Sequence, residues 1–129
     1  MKIRNLTYVL CAVTLTAGAG FSKLAQASNE PNFNCVTKQI ATYSPGARWS
    51  SLEQELPGHL AFIADQMKSQ NIDVAGPLVS DQGVPVGGLD IFNLADPVKA
   101  KQLVESDPLV QHKVANYELK TWRMCKLAE

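Results

Sequence analysis

No segment of this 129-residue chain gathers basic residues: its 12 lysines and arginines are scattered and are matched by 12 acidic residues. That leaves no electrostatic footprint for nucleic acid. Heptad runs and internal repeats are missing as well, which excludes a long coiled coil and a repeat solenoid. Histidine occurs only twice and cysteine three times. Neither cysteine beyond the first 27 residues has a second ligand at motif spacing, so no metal is expected. The sequence also lacks G-x-S-x-G, H-E-x-x-H and phosphate-loop signatures. Those absences remove the serine-hydrolase elbow, the zincins and the P-loop enzymes, and they imply no cofactor.

The one long uncharged run lies at the start. Lys2 and Arg4 precede it, Leu6 to Phe21 is apolar or small, and Ala25-Gln26-Ala27 supplies a small-x-small pattern. That order reads as a signal peptide over residues 1–27, cleaved after Ala27. The run is shorter than the ~20 residues of a spanning helix, and Gly18 and Gly20 weaken it as one. Cys11 lies mid-run, away from the cleavage point, which argues against a lipoprotein. Cleavage leaves 102 residues, enough for one domain, with a formal charge of −3 because Lys2, Arg4 and Lys23 leave with the signal. The expected setting is periplasmic or secreted, without membrane attachment once the signal is gone.

Export bears on the two remaining cysteines, Cys35 and Cys125. In an oxidising compartment an even count reads first as a disulfide, with two free thiols as the alternative.

Residues 28–34 are polar and contain Pro31, which predicts a disordered lead-in. Cys35 to Tyr43 is rich in β-branched residues and predicts a strand, ended by Ser44-Pro45-Gly46. Ser50 or Ser51 offers an N-cap, and Ser50 to Glu53 has capping-box spacing. Leu56, Leu60, Ile63, Ala64 and Met67 then form one apolar face of a helix that runs to Gln70, with Pro57 in its first turn. Asn71 is expected to close it in the left-handed conformation. Ile72 to Val79 predicts an edge strand, since it contains Gly76-Pro77. After the loop Ser80–Gly83, Val84 to Asn93 predicts a third strand whose Gly87-Gly88 admits a close backbone neighbour. Asp96-Pro97 starts a second helix, with Ala100, Leu103 and Val104 inward, and Asp107-Pro108 stops it. Ala115 to Cys125 is the last strand.

The resulting order is β-α-β-β-α-β, a ferredoxin-like α+β fold: a four-stranded antiparallel sheet with both helices on one face. Its usual sheet order, 4-1-3-2, brings the start of the first strand to the end of the last. That makes Cys35 and Cys125 neighbours, although the parity of the two side chains stays open. The second sheet face needs a cover. Trp122 and Met124 are candidates for a dimer surface there.

Two residues could carry chemistry. His59 falls at the edge of the helical apolar face, and the plainer alternative is a packed, hydrogen-bonded histidine. Asp107 precedes a proline and could simply end a helix. His112 reads as a surface residue. Arg48-Trp49 reads as loop packing, with a cleft border as the alternative.

Four segments share their order and spacing with one family. Gly58-His59-Leu60-Ala61-Phe62, Val74-Ala75-Gly76-Pro77-Leu78, Gly87-Gly88-Leu89-Asp90-Ile91-Phe92 and Ser106-Asp107-Pro108-Leu109-Val110 together resemble the YCII-related domain, over roughly residues 35–126. The resemblance implies a dimeric α/β barrel, the fold of muconolactone isomerase, and hence a homodimer. It also implies a site made of His59 and Asp107. Most members have no assigned reaction, and one related activity is dehydrochlorination of a chlorinated hydroxyquinol. Members often carry a basic residue three positions before the histidine, where this chain has Leu56, and a glycine where it has Asn71. The function expected is acid–base chemistry, lyase- or isomerase-like, on a small cyclic or aromatic molecule. The alternative is a non-catalytic dimer that binds a small ligand or a protein.

Overall fold

A computed structural model describes residues 30–129; the expected signal peptide, Ser28 and Asn29 lie outside the described residues. Four strands and three helices follow in the order β1 (Phe33–Pro45), α1 (Leu52–Lys68), β2 (Ile72–Val79), β3 (Pro85–Phe92), α2 (Pro97–Ser106), α3 (Pro108–Gln111) and β4 (Ala115–Leu127). The sheet is antiparallel throughout, in the order β2-β3-β1-β4. This is the ferredoxin-like arrangement the sequence predicts. β1 reaches back to Phe33, so the last two residues of the expected lead-in are paired strand, opposite Leu127 and Lys126.

Strand parity divides the side chains. Gln39, Ala41 and Tyr43 of β1 and Asp90 and Phe92 of β3 are buried beneath the helices. Ala41, Tyr43 and Phe92 meet Ile63 of α1, Ala100 and Val104 of α2, and Leu109 of α3 in one core. The other face carries Val36, Val74 and Trp122, all exposed. Both candidate cover residues, Trp122 and Met124, stand on that face, opposite Lys38 and Val36 of β1.

Cys35 and Cys125 are direct cross-strand partners, with Cα atoms 4.1 Å apart, and they form a disulfide. The open question of parity is thereby answered. The register sets both side chains on the face shared with Gln39, four residues along from Cys35.

Gly87 explains why β3 can lie so close to β1. A Cβ at this position would stand 2.2 Å from the carbonyl oxygen of Tyr43. No side chain fits there.

Several local expectations need correction. α1 has Ser51 as its N-cap, but no side chain accepts a hydrogen bond there, so the capping box does not form. Pro57 lies inside the helix, beyond its first turn. The left-handed residue after α1 is Gln70, at φ 60°, rather than Asn71. The amide of Gln70 donates to the carbonyl of Met67 and that of Asn71 to the carbonyl of Gln66, which is the Schellman pattern. Asn71 instead ties the helix end with its side chain, donating to Gln66 Oε1 at 2.9 Å.

The largest correction concerns the face of α1. Of the five apolar residues expected inward, only Ile63 is buried; Leu60 is 56% exposed, and Leu56, Ala64 and Met67 are also exposed. His59 and Phe62 turn inward beside Ile63 instead. The inward face of the helix is thus Leu52, His59, Phe62 and Ile63, and Leu56 and Leu60 are left at the rim of a cavity.

Candidate active site

Asp96 shows how the second half of the site is built. Its carboxylate accepts from the amide of Val98 at 2.9 Å, which starts α2 on Pro97 as expected. Eleven residues later the device is repeated. Asp107 ends α2 and at once caps α3, a short helix not anticipated, accepting from the amide of Leu109 at 2.9 Å. Asp107 is fully buried. The sequence reading took Asp107-Pro108 as a stop, and the same two residues are also a start.

α1 lies against Pro108 at Gly58, where a Cβ would be in ordinary van der Waals contact with the proline ring at 3.7 Å, so the approach does not depend on glycine. The next residue, His59, then meets Asp107. Its Nδ1 lies 2.8 Å from Oδ2 and 3.0 Å from Oδ1. Carboxylate oxygens that also accept from a backbone amide call for a donor on the imidazole, so Nδ1 carries the hydrogen; in the neutral ring Nε2 then keeps its lone pair. Nε2 has no partner among the described residues. None of their side-chain nitrogen and oxygen atoms is both buried and unpaired. Nε2 is therefore reachable, and His59 lines a cavity.

That cavity measures about 310 Å³ and lies between α1 and the β2–β3 half of the sheet. This is the small end of the usual range for ligand sites. Trp49, Leu56 and Leu60 form apolar parts of its wall, Pro77 and Gly88 bring backbone to its edge, and no lysine or arginine lines it. The polar contributions come from His59, Tyr43 and Asp90.

Asp90 and Tyr43 went unremarked in the sequence. Tyr43 donates its hydroxyl to Asp90 Oδ2 at 2.8 Å, and both are buried. The Tyr43 ring stands edge-on to the His59 ring, 6.3 Å between centroids. Burial pushes the Asp90 carboxyl up to about 6, and the negative charge of Asp107 adds to this. The Tyr43 hydrogen bond and His59 pull the other way. Burial, then Asp90 and Asp107, push the Tyr43 hydroxyl well above its ordinary value. A period-of-two reading would have exposed this pair. Asp90 shares parity with Phe92, and an aspartate on the covered face of a strand calls for a partner.

The other singled-out residues fall as follows. Trp49 packs against the core and also lines the cavity, whereas Arg48 is exposed and donates to the carbonyl of His112 at 3.3 Å. His112 is on the surface, with Nδ1 2.7 Å from Glu55 Oε2.

The model of the YCII-related domain matches residues 37–123. Three solved structures are similar in fold. One is 5-chloro-2-hydroxyhydroquinone dehydrochlorinase from Burkholderia phenoliruptrix AC1100, in complex with 2,5-dihydroxybenzoquinone. It is 17% identical, with a TM-score of 0.53 over 65% of this chain and 92% of that one. The second is a Shewanella oneidensis protein, 12% identical, with a TM-score of 0.47 over 75% of this chain and 100% of that one. The third is a conserved protein from Methanosarcina mazei Go1, 13% identical, with a TM-score of 0.47 over 68% of this chain and 92% of that one. No curated protein matches the chain.

Proposed function

The chain belongs to the YCII-related domain family, and from that premise we propose that it is an exported acid–base protein that moves a proton on a small, neutral cyclic or aromatic molecule. The observation that carries this reading is the state of His59. Its Nδ1 is bound by the fully buried Asp107, while Nε2 is unpartnered among the described residues and the ring lines an apolar cavity. In this reading Asp107 fixes the tautomer and orientation of the ring, and Nε2 takes or returns the proton. The cavity has no cationic side chain, so it suits an uncharged substrate and not a carboxylate or phosphate. The fold-level likeness to a dehydrochlorinase that handles a hydroxylated ring is an analogy in the same direction.

Two further parts of the reading rest on other observations. The Cys35–Cys125 disulfide supports an oxidising compartment and hence export. Among the described residues no helix is long and apolar enough to cross a membrane. The exposed Val36, Val74 and Trp122 on the helix-free sheet face support a homodimer that buries them. Sedimentation of the oxidised protein would read a dimer, and a monomer at high protein concentration would refute that part.

The test of function is a thermal-shift screen of oxidised protein with neutral phenols and cyclic ketones, repeated with His59→Ala. Stabilisation that disappears in the variant supports the site. Equal stabilisation of both proteins would turn the reading to a binding module that does not use His59.

A further inference from the structure

Asp90 accepts from the buried Tyr43 hydroxyl, which uses one of its two oxygens. Its cross-strand partner Ala41 and its same-face neighbour Phe92 are apolar. Asp90 is 2% exposed, yet it borders the cavity. The Tyr43 hydroxyl holds one of its oxygens, Oδ2. The other, Oδ1, bonds no described side chain, and no buried side-chain oxygen among the described residues lacks a partner. Oδ1 is therefore reachable from the cavity that His59 also faces.

We propose that Asp90 is the second proton-transfer group of this cavity, a general acid that works with the His59 base, and that Tyr43 is its positioning residue. The proposal rests on the acid–base reading above and names the substrate class for it: neutral cyclic ketones with an enolisable carbon, or their phenolic counterparts. His59 Nε2 takes the proton from the carbon beside the carbonyl. The C–H electron pair becomes the C=C bond of the enol, and the carbonyl π pair moves onto oxygen. That oxygen takes the proton of the Asp90 carboxylic acid. Asp90 is left as a carboxylate that accepts from Tyr43, and the reverse sequence returns both protons.

The groups that face Asp90 favour this division of labour. Tyr43 approaches from β1, His59 from α1 and Asp107 from the head of α3. β2 offers only Ala75, Gly76 and Pro77 along this stretch, none of them titratable. Burial outweighs the two groups that favour ionisation, so the carboxyl holds its proton to about pH 6. A buried carboxyl that stays protonated can give a hydrogen bond or a proton, which an exposed aspartate cannot do at that pH.

Cyclohexanone is a suitable probe, being neutral, cyclic and enolisable. Its α-proton exchange in D₂O is followed by NMR as a function of pH, with wild type, His59→Gln, Asp90→Asn and Tyr43→Phe. The expected result is protein-catalysed exchange that falls as pH rises through about 6, and that is lost in His59→Gln. Asp90→Asn, which still accepts from Tyr43 but cannot transfer a proton, should slow exchange roughly a hundredfold and lose the falling limb. Tyr43→Phe should move that limb to higher pH, because it removes a hydrogen bond that lowers the Asp90 pKa. This shift also carries the test if Asp90→Asn fails to fold. Exchange lost in His59→Gln but unchanged in Asp90→Asn, with the limb unmoved in Tyr43→Phe, overturns the role of Asp90 and leaves the His59 reading standing. Exchange no faster than in buffer, or undiminished in His59→Gln, overturns both.

Discussion

Replacing Asp107 separates what the residue does for the fold from what it does for His59. Asp107→Ala removes three acceptor contacts at a fully buried position: one from the Leu109 amide at 2.9 Å and two from His59 Nδ1 at 3.0 and 2.8 Å. Loss of a helix cap costs about 1 kcal/mol. An unpaired imidazole N–H on the inner side of the ring adds about 1 to 3 kcal/mol, since His59 is only 16% exposed. The sum is about 2 to 4 kcal/mol. Asp107→Asn keeps the volume and one oxygen, so it can cap α3 or receive Nδ1–H, and it should cost about 1 to 2 kcal/mol. Urea unfolding of the oxidised protein, with equal m-values checked, gives these differences. A loss below about 0.5 kcal/mol in Asp107→Ala would refute the reasoning, because it would mean that neither contact orders the native state.

Other outcomes follow from the same structure. Asp90 has a folded-state pKa raised to about 6 from an ordinary 3.8. The stability it contributes is therefore whole below the unfolded-state value and is lost as pH rises through about 6. That loss is of the order of 3 kcal/mol by about pH 7, and Asp90→Asn should flatten this part of the pH profile. Parallel profiles would count against it. Opening the disulfide by Cys35→Ser with Cys125→Ser frees a loop spanning 90 residues of sequence, and the chain-entropy model puts the loss at about 4 to 5 kcal/mol, read as a lower midpoint in urea. An unchanged midpoint would show that the reduced chain stays constrained. Gly87→Ala drives a methyl into the Tyr43 carbonyl. It should destabilise by about 1 to 3 kcal/mol as β1 and β3 part; a neutral result would mean that the strands shift without strain.

The element order and the sheet order could be read from residues because each depends on local chemistry. Asp96-Pro97 caps and starts a helix wherever it stands, and Gly76-Pro77 marks an edge strand because proline cannot donate to a ladder. The nearness of the two cysteines followed from topology, since antiparallel pairing of the first and last strands brings Cys35 close to Cys125, but the register that turns both side chains to one face is a tertiary fact. The His59–Asp107 pair was visible only through resemblance to a family. Contact between residues 48 apart in sequence is a tertiary fact with no local periodicity behind it. Tertiary packing also defeats the reading of α1. Leu56 and Leu60 fit an apolar stripe by spacing, but the face turned to the core is that of Leu52, His59, Phe62 and Ile63, and the leucines line the cavity. Asp90 was passed over because its surroundings read as a simple apolar strand, and its meaning lies in the parity it shares with Phe92. Gln70 in the left-handed region shows how weak a closing signal is when neither candidate is glycine.

The central claim is that Asp107 holds His59 with its hydrogen on Nδ1 and its lone pair on Nε2, facing the cavity. Long-range proton–nitrogen NMR of ¹⁵N-histidine-labelled protein reads this directly, in alkaline buffer where a histidine is neutral. The account predicts for His59 a protonated, pyrrole-type Nδ1 and an unprotonated, pyridine-type Nε2, with the pattern disturbed in Asp107→Ala. A pyridine-type Nδ1 beside a protonated Nε2 would contradict it.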